Sequence, residues 1–188
     1  MTTCCPSVVV MHIDGASRGN PGPAAYAVVV KAADEAPLAA FSECLGQATN
    51  NVAEYKALLA ALGYALRHHY LRLKVVSDSE LLVRQIQGSY KVKSAELRPL
   101  YRQARQMIER LESFSIEHVR REHNREADRL VNEALDAVEA GKSPAESYPA
   151  RAAILHAAAT HRRGVLELHH PVPLADGEEV ELEIRRKS

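Results

Sequence analysis

The hydrophobic pattern of the chain changes period along its length, and each short apolar run predicts a strand. Residues 7–14 are apolar and mostly β-branched until they reach an acid, which is typical of a strand buried on both faces. Two runs at 24–31 and 38–45 are joined by a polar turn, which favours an antiparallel meander. Residues 71–77 and 114–119 complete a set of five predicted strands.

Apolar residues spaced three and four apart predict four helices after the meander. They lie at 55–66, 81–86, 97–111 and 127–138. Asn50 or Asn51 is the expected N-cap of the first helix, and Gly141 is expected to stop the last. The order β-β-β-α-β-α-α-β-α predicts an α/β fold, with a mixed five-stranded sheet flanked by helices on both faces.

A change of composition near residue 142 divides the chain. We predict an N-terminal domain at 1–141, a linker at 142–149 and a small β-rich extension at 150–188. Alternation at 165–170 and 180–185 predicts a hairpin. The segments GVLEL, PVPL, DG and VELEI resemble a small prokaryotic β domain of unknown function. An isolated hairpin is marginal in water, so we expect it to pack on the domain or to form a homo-oligomer.

Composition restricts the classes of protein that remain. Lys plus Arg and Asp plus Glu both equal 24, which excludes a globally basic nucleic-acid coat but permits a local basic face. Neither an apolar run of ~20 residues nor a secretory signal is visible, so no membrane partner is expected. The 3 cysteines form neither a disulfide framework nor a C-x-x-C zinc motif, which favours a cytoplasmic location.

Four acids stand at the ends of predicted elements. Asp14 and Asp78 end strands, whereas Glu54 and Asp128 lie in the first turns of helices. Any one of them alone could simply favour a helix N-terminus, but such places converge in an open α/β sheet. Converging carboxylates repel one another unless cations neutralise them, and oxygen-only ligands select Mg²⁺ or Mn²⁺. The acids therefore predict metal-assisted phosphodiester hydrolysis.

Four segments carry a family resemblance: IDGASRGNPGPAAYAVVV, TNNVAEYKALLAAL, VVSDSELLVRQIQGSYKVK and VRREHNREADRLVNEAL. Over residues 8–140 they resemble type 1 ribonuclease H, in the compact branch that lacks a basic handle. The resemblance implies an endonuclease that hydrolyses the RNA strand of RNA–DNA hybrids with two Mg²⁺ or Mn²⁺ ions. It implies that Asp14 is shared by both ions. Glu54 and Asp78 would complete one ion's site, and Asp128 the other's.

The resemblance also implies residues that contact the hybrid. Six of them follow the strand and helix ends: Gly15, Ser17, Asn20, Thr49, Asn50 and Asn51. Two positions depart from the better-known members. Glu80 stands where a glutamine is common, and His123 is the one candidate for an auxiliary histidine that assists catalysis.

A short basic loop follows Gly88 in place of the handle. Tyr90, Lys91 and Lys93 combine an aromatic ring with cations, which suits stacking on sugar and contact with phosphates. Three arginines on the next helix are either a solvated face or part of the same surface: Arg98, Arg102 and Arg105.

Two alternatives to the hybrid nuclease share its fold. One is a non-catalytic nucleic-acid-binding module, and the other is a nuclease with broader substrates, such as double-stranded RNA or a junction. Clustered acids disfavour the module, because a pure binder gains nothing from negative charge facing phosphates. The NPGP and TNNxxE segments disfavour a junction resolvase.

Overall fold

The structure is a computed structural model that describes residues 8–140, 159–162 and 165–168. The chain forms two compact units, residues 1–154 and 155–188, which are described separately. Within the described ranges, no helix combines the length and the apolar character needed to cross a membrane.

The first unit contains the predicted mixed sheet. Its strands are β1 (Val9–Ser17), β2 (Gly22–Lys31), β3 (Pro37–Ala48), β4 (Arg72–Ser77) and β5 (Ser113–His118). Their order across the sheet is β3-β2-β1-β4-β5. The β1–β2 and β2–β3 pairs are antiparallel, whereas β1–β4 and β4–β5 are parallel. The predicted element order and fold class are confirmed.

Four α-helices flank the sheet. They are α1 (Asn50–Arg67), α2 (Glu80–Ile86), α3 (Leu97–Ile108) and α4 (Arg125–Glu139), and a single 3₁₀ turn, Arg121–His123, precedes α4. One face of β1 and β2 buries Met11, Ile13 and Val28 in a core shared with α1 and α3. The opposite face of β2 packs the small residues Ala25 and Ala27 against α4. Helices therefore cover both faces, as predicted.

The ends of β1 and α1 differ from the sequence-based expectation. β1 continues past Asp14 to Ser17, because residues 15–17 still pair with β2. The N-cap of α1 is Thr49 rather than Asn50 or Asn51, since the Thr49 hydroxyl accepts a hydrogen bond from the Val52 amide at 3.4 Å. Glu54 consequently lies at the start of the second turn, beyond the first turn predicted for it.

The second unit contains an antiparallel pair, β6 (Ala159–Arg162) and β7 (Val165–Leu168). β7 falls within the strand predicted at 165–170, but its partner here is a segment that alternation did not predict. The expected partner at 180–185 and the linker at 142–149 lie outside the described residues. The domain boundaries and the packing of the extension stay predictions.

Gly15 lets the start of α1 rest directly on β1. A Cβ at this position would overlap the Ala53 carbonyl carbon and the Glu54 backbone nitrogen. Only glycine lacks that atom, so its presence permits the close approach. Because α1 packs directly against β1 at Gly15, Glu54 of α1 is held next to Asp14 of β1.

Gly15→Ala should push α1 and β1 apart. We expect a loss of about 1–3 kcal/mol, as for other overpacked sites, and a fall in melting temperature of several degrees in a thermal unfolding scan. Gly63→Ala is the matched control within α1, because its Cβ would meet only the flexible ends of Arg67 and Met107, at 3.4 and 3.7 Å. Equal melting temperatures for the two variants would contradict this account of Gly15.

Candidate active site

Asp14 lies on β1 opposite Ala27 of β2, on the sheet face that α4 covers. Its Oδ1 accepts a hydrogen bond from the Gly15 amide at 2.9 Å. Burial raises the pKa of Asp14 to about 7, and the negative charges of Asp78, Asp128 and Glu54 add to the shift. This carboxylate is thus both desolvated and surrounded by like charge.

Glu54 is held through both of its carboxylate oxygens. Oε1 accepts from the Asn50 amide group at 2.9 Å, and Oε2 accepts from the Ser79 hydroxyl. Burial raises the pKa of Glu54 to about 7, with a further contribution from Asp78, although the Ser79 and Asn50 donors act in the opposite direction. Residues of two helix starts therefore orient this side chain.

Asp78 occupies the junction between β4 and α2. Ser79, rather than Asp78, is the N-cap of α2, and its hydroxyl accepts from the Leu82 amide at 3.3 Å. The Asp78 carboxylate is consequently not used as a helix cap. In the site, its Oδ1 accepts a hydrogen bond from the Asn124 side chain at 3.3 Å. Ile13 of β1 pairs in parallel with Ser77 of β4, and this register brings Asp78 to the same level of the sheet as Asp14.

Asp128 lies in the first turn of α4, as predicted, and is paired with Arg121 of the 3₁₀ turn. Its Oδ1 accepts from Arg121 Nε at 2.9 Å and also from Nη2. The pKa of Arg121 is raised chiefly by this hydrogen bond, with smaller effects from Asp14 and Asp78. Arg121 was not predicted from the sequence, because an arginine in a polar loop carries no signal of its partner.

We call Asp14, Glu54, Asp78 and Asp128 the acid cluster. The structure brings these four predicted residues together, since the negative charges of the other three all raise the pKa of Asp14. Their donor set is entirely carboxylate oxygen, which fits a hard divalent cation. In the described residues, no group of three His, Cys, Asp or Glu side chains is already arranged to ligate one ion. Arg121, Asn50 and Ser79 instead engage the carboxylates.

Asn50 joins the β1–β2 turn to the acid cluster. Its Oδ1 accepts from the Ser17 amide, and its own backbone amide donates to Asn20 Oδ1, both at 3.3 Å. The Ser17 hydroxyl donates to the Gly19 carbonyl at 2.7 Å. These predicted substrate-binding residues therefore lie in one network. Thr49 and Asn51 flank Asn50 at the start of α1, where the Thr49 hydroxyl serves as the cap.

The loop after α2 and the start of α3 form an open pocket of about 370 Å³, lined in part by Tyr90, Lys91, Arg98 and Arg102. Arg98 donates to the Lys93 carbonyl at 3.1 Å, which ties the loop to the helix. Two of the three helix arginines thus share the surface of the basic loop. Arg105 instead donates to the Ile86 carbonyl at 3.4 Å.

Glu80 and His123, the two positions that depart from the family pattern, both lie at the surface. Glu80 forms an ion pair with Arg84 at 2.6 Å, and the Arg84 guanidinium lies 5.1 Å from the centre of the Tyr90 ring. His123 is exposed in the 3₁₀ turn. Among the described residues, no hydrogen bond or ion pair joins its imidazole to the acid cluster. Its auxiliary role stays a prediction.

Comparisons with known proteins identify the family of the chain. Residues 12–134 match the protein family described as reverse transcriptase-like. Bifunctional protein Rv2228c of Mycobacterium tuberculosis is 44% identical over 144 residues, which cover 76% of this chain but only 39% of that protein. The chain thus spans about two fifths of this longer relative.

Two solved structures resemble the first unit. RNase H1 of Halobacterium salinarum is 41% identical with a TM-score of 0.67, covering 69% of this chain and 98% of that one. LC11-RNase H1, in complex with an RNA/DNA hybrid, is 40% identical with a TM-score of 0.66, covering 70% and 99%.

The sheet and the family match place the chain in the reverse transcriptase-like family. More particularly, it belongs to the type 1 ribonuclease H family, because its likeness to the halobacterial enzyme extends over nearly the whole of that structure. The predicted family resemblance is confirmed.

Removing one carboxylate from the acid cluster should stabilise the metal-free protein. The pKa of Asp14 is raised from near 4 to about 7. The ionised carboxylate therefore destabilises the folded state, and this destabilisation is absent below pH 4 and complete above pH 7. Wild type should therefore lose stability as the pH rises through this window. Asp14→Asn should flatten that loss and raise the melting temperature at pH 8 by a few degrees.

Asp136→Asn provides the control, because it removes an exposed carboxylate of α4 that pairs with Arg18. It should not raise the melting temperature. Mg²⁺ at millimolar concentration should stabilise wild type but not Asp14→Asn. Identical thermal scans for wild type and Asp14→Asn, with and without Mg²⁺, would show that repulsion at Asp14 is negligible.

Proposed function

We propose that this chain is an endonuclease that hydrolyses the RNA strand of RNA–DNA hybrids. The observation that carries the proposal is the partial burial of Asp14, on the central strand β1, among three other carboxylates. Family membership supports it, as does the RNA/DNA hybrid bound to LC11-RNase H1. Charges crowded in this way are unfavourable unless cations offset them, which is the condition for metal-dependent phosphodiester chemistry.

The acid cluster would hold two divalent ions, Mg²⁺ or Mn²⁺. We assign Asp14 to both ions, Glu54 and Asp78 to one, and Asp128 to the other. When bound, such ions lower the pKa of a water nucleophile and neutralise charge on the phosphodiester. The absence of any nitrogen or sulfur donor from the cluster favours these hard cations over zinc.

The residues around the cluster prepare its carboxylates. Asn50 and Ser79 fix both oxygens of Glu54, so its orientation is set before an ion binds. Arg121 offsets the charge of Asp128 from the solvent side, because 71% of its side chain is exposed against 26% for Asp128. Asn50 also links Glu54 to the β1–β2 turn, so the position of substrate at that turn is coupled to the acids.

The hybrid would lie across the β1–β2 turn and the start of α1, with the basic loop as a second contact. Gly15, Ser17, Asn20 and the Thr49–Asn51 segment would follow the two strands near the acid cluster. An RNA strand in A-like geometry presents 2′-hydroxyls in a wide minor groove, which polar side chains can contact without reading bases. Tyr90, Lys91 and Lys93 would contact sugar and phosphate farther along the duplex.

The substrate class can be tested with a panel of labelled duplexes. Wild type and Asp14→Asn would be incubated with an RNA–DNA hybrid, double-stranded RNA and a DNA duplex carrying one ribonucleotide, each with Mg²⁺ or Mn²⁺. Cleavage confined to the RNA strand of the hybrid supports the proposal. Binding without cleavage by wild type would favour the non-catalytic module, and cleavage of double-stranded RNA would favour the broader nuclease.

Asp14→Asn should abolish cleavage while leaving hybrid binding nearly intact. The shared ligand is lost, so both ions lose a carboxylate, whereas the turn and the basic loop still contact the duplex. Initial rates and a filter-binding titration measure the two properties, and Asp136→Asn should behave as wild type in both. Retention of more than about a tenth of wild-type cleavage would contradict the role of Asp14.

Replacing Lys91 and Lys93 together by alanine should weaken hybrid binding without slowing the chemical step. Two lost phosphate contacts would reduce the slope of log affinity against log salt by about 1–2. The KM should rise and the kcat stay within about twofold. Lys74→Ala is the control, because that lysine is tied to Glu117 at 2.6 Å on β4 and β5. An unchanged salt slope would remove the basic loop from the substrate surface.

A further inference from the structure

Asn124 connects three of the elements that carry the acid cluster. It is the residue before α4, and only 1% of its surface is exposed. Its side-chain amide donates to the Ile13 carbonyl at 2.9 Å and to Asp78 Oδ1 at 3.3 Å. Its backbone carbonyl accepts from the Asp128 amide at 3.1 Å. One buried residue thus touches β1 next to Asp14, the end of β4, and the first turn of α4.

The side chain of Asn124 does not perform the task usual for asparagine at a helix start. An asparagine before a helix commonly accepts a hydrogen bond from an amide of the first turn. Asn124 makes no such side-chain cap. Its Oδ1 is buried and meets no donor in regular hydrogen-bond geometry, although the His12 side chain interacts with the Asn124 side chain. A buried polar atom without a well-formed hydrogen bond is unfavourable. The two side-chain hydrogen bonds of regular geometry, to the Ile13 carbonyl and to Asp78, both come from the amide nitrogen. The donor end of this side chain is therefore the part that contacts β1 and Asp78.

We propose that Asn124 is a positioning residue that holds Asp14, Asp78 and Asp128 at the spacing in which they bind divalent cations. This inference rests on the proposed function. The amide gives Asp78 a donor that orients its carboxylate, and it anchors the carbonyl immediately before Asp14. Through its backbone it also fixes the start of α4. Partners of this kind commonly change metal affinity or activity by about 10–100-fold when they are removed.

Two substitutions isolate the amide donor. Asn124→Ala removes the whole side-chain contact. Asn124→Asp keeps the size but replaces the donor by a second acceptor, which leaves the Ile13 carbonyl unpaired and repels Asp78. The matched control is Asn132→Ala, because Asn132 is an asparagine within α4 whose side chain likewise donates to a backbone carbonyl, that of Asp128, at 2.7 Å.

The principal readout is the Mn²⁺ concentration that gives half of the maximal rise in melting temperature for the full chain, measured without substrate. We expect this midpoint to increase at least about tenfold in Asn124→Ala and Asn124→Asp, and to stay within about twofold in Asn132→Ala. With a labelled hybrid at fixed low Mn²⁺, kcat should fall by a similar factor while the KM for the hybrid changes little. High Mn²⁺ should restore much of the kcat of Asn124→Ala.

A merely structural role would give a different pattern. It would lower the melting temperature of the metal-free Asn124 variants while leaving the Mn²⁺ midpoint and kcat at wild-type values, and that result would overturn the proposal. If Asn124→Ala does not fold, the nearly isosteric Asn124→Asp decides by the same midpoint. Wild type that neither binds Mn²⁺ nor cleaves the hybrid would instead refute the proposed function. The two failures are therefore distinguishable.

Discussion

Repulsion among the carboxylates of the acid cluster is the constraint around which the first unit is organised. Folding partly buries Asp14 and Glu54 and surrounds Asp14 with three further negative charges. Hydrophobic packing on both faces of the sheet must supply the free energy to hold that arrangement. Such local destabilisation is common at functional sites, where a favourable packing arrangement elsewhere holds groups in a geometry that they would not adopt alone.

The fold meets this constraint by placing each acid on a separate element and giving three of the four a side-chain partner from a neighbouring one. Glu54 on α1 receives Ser79 from α2, and Asp78 after β4 receives Asn124 from the start of α4. Asp128 receives Arg121 from the 3₁₀ turn. Because these partners cross between elements, a shift of any one element is transmitted to a carboxylate. The positions of the acids therefore depend on the packing of all the elements that meet at the acid cluster.

Much of this arrangement was predictable, because hydrophobic period is a local property of the chain. The strands and helices followed from it, and the acids could be placed at their ends. The N-cap at Thr49 was missed because Asn50 is an equally good cap by type, and its tertiary contacts with Ser17 and Glu54 draw its side chain away. Arg121 and Asn124 were missed for a related reason. Their partners are seven or more residues distant, and only the 3₁₀ turn and the parallel β1–β4 pair bring them together.

The distribution of charge also explains how an electrically neutral chain would bind a polyanion under the proposed function. A net charge of +0 provides no long-range attraction for nucleic acid, so any attraction must arise locally. The loop of Tyr90, Lys91 and Lys93 supplies local cations together with the start of α3. The acid cluster, in contrast, repels phosphate until cations offset it. Under the proposed function, the basic loop would attract the duplex, whereas the acid cluster would admit the scissile phosphate only when divalent ions are bound. Under the proposed function, the exposed cations of the loop would contribute mainly to substrate affinity, whereas cleavage would depend on the partly buried carboxylates and their partners.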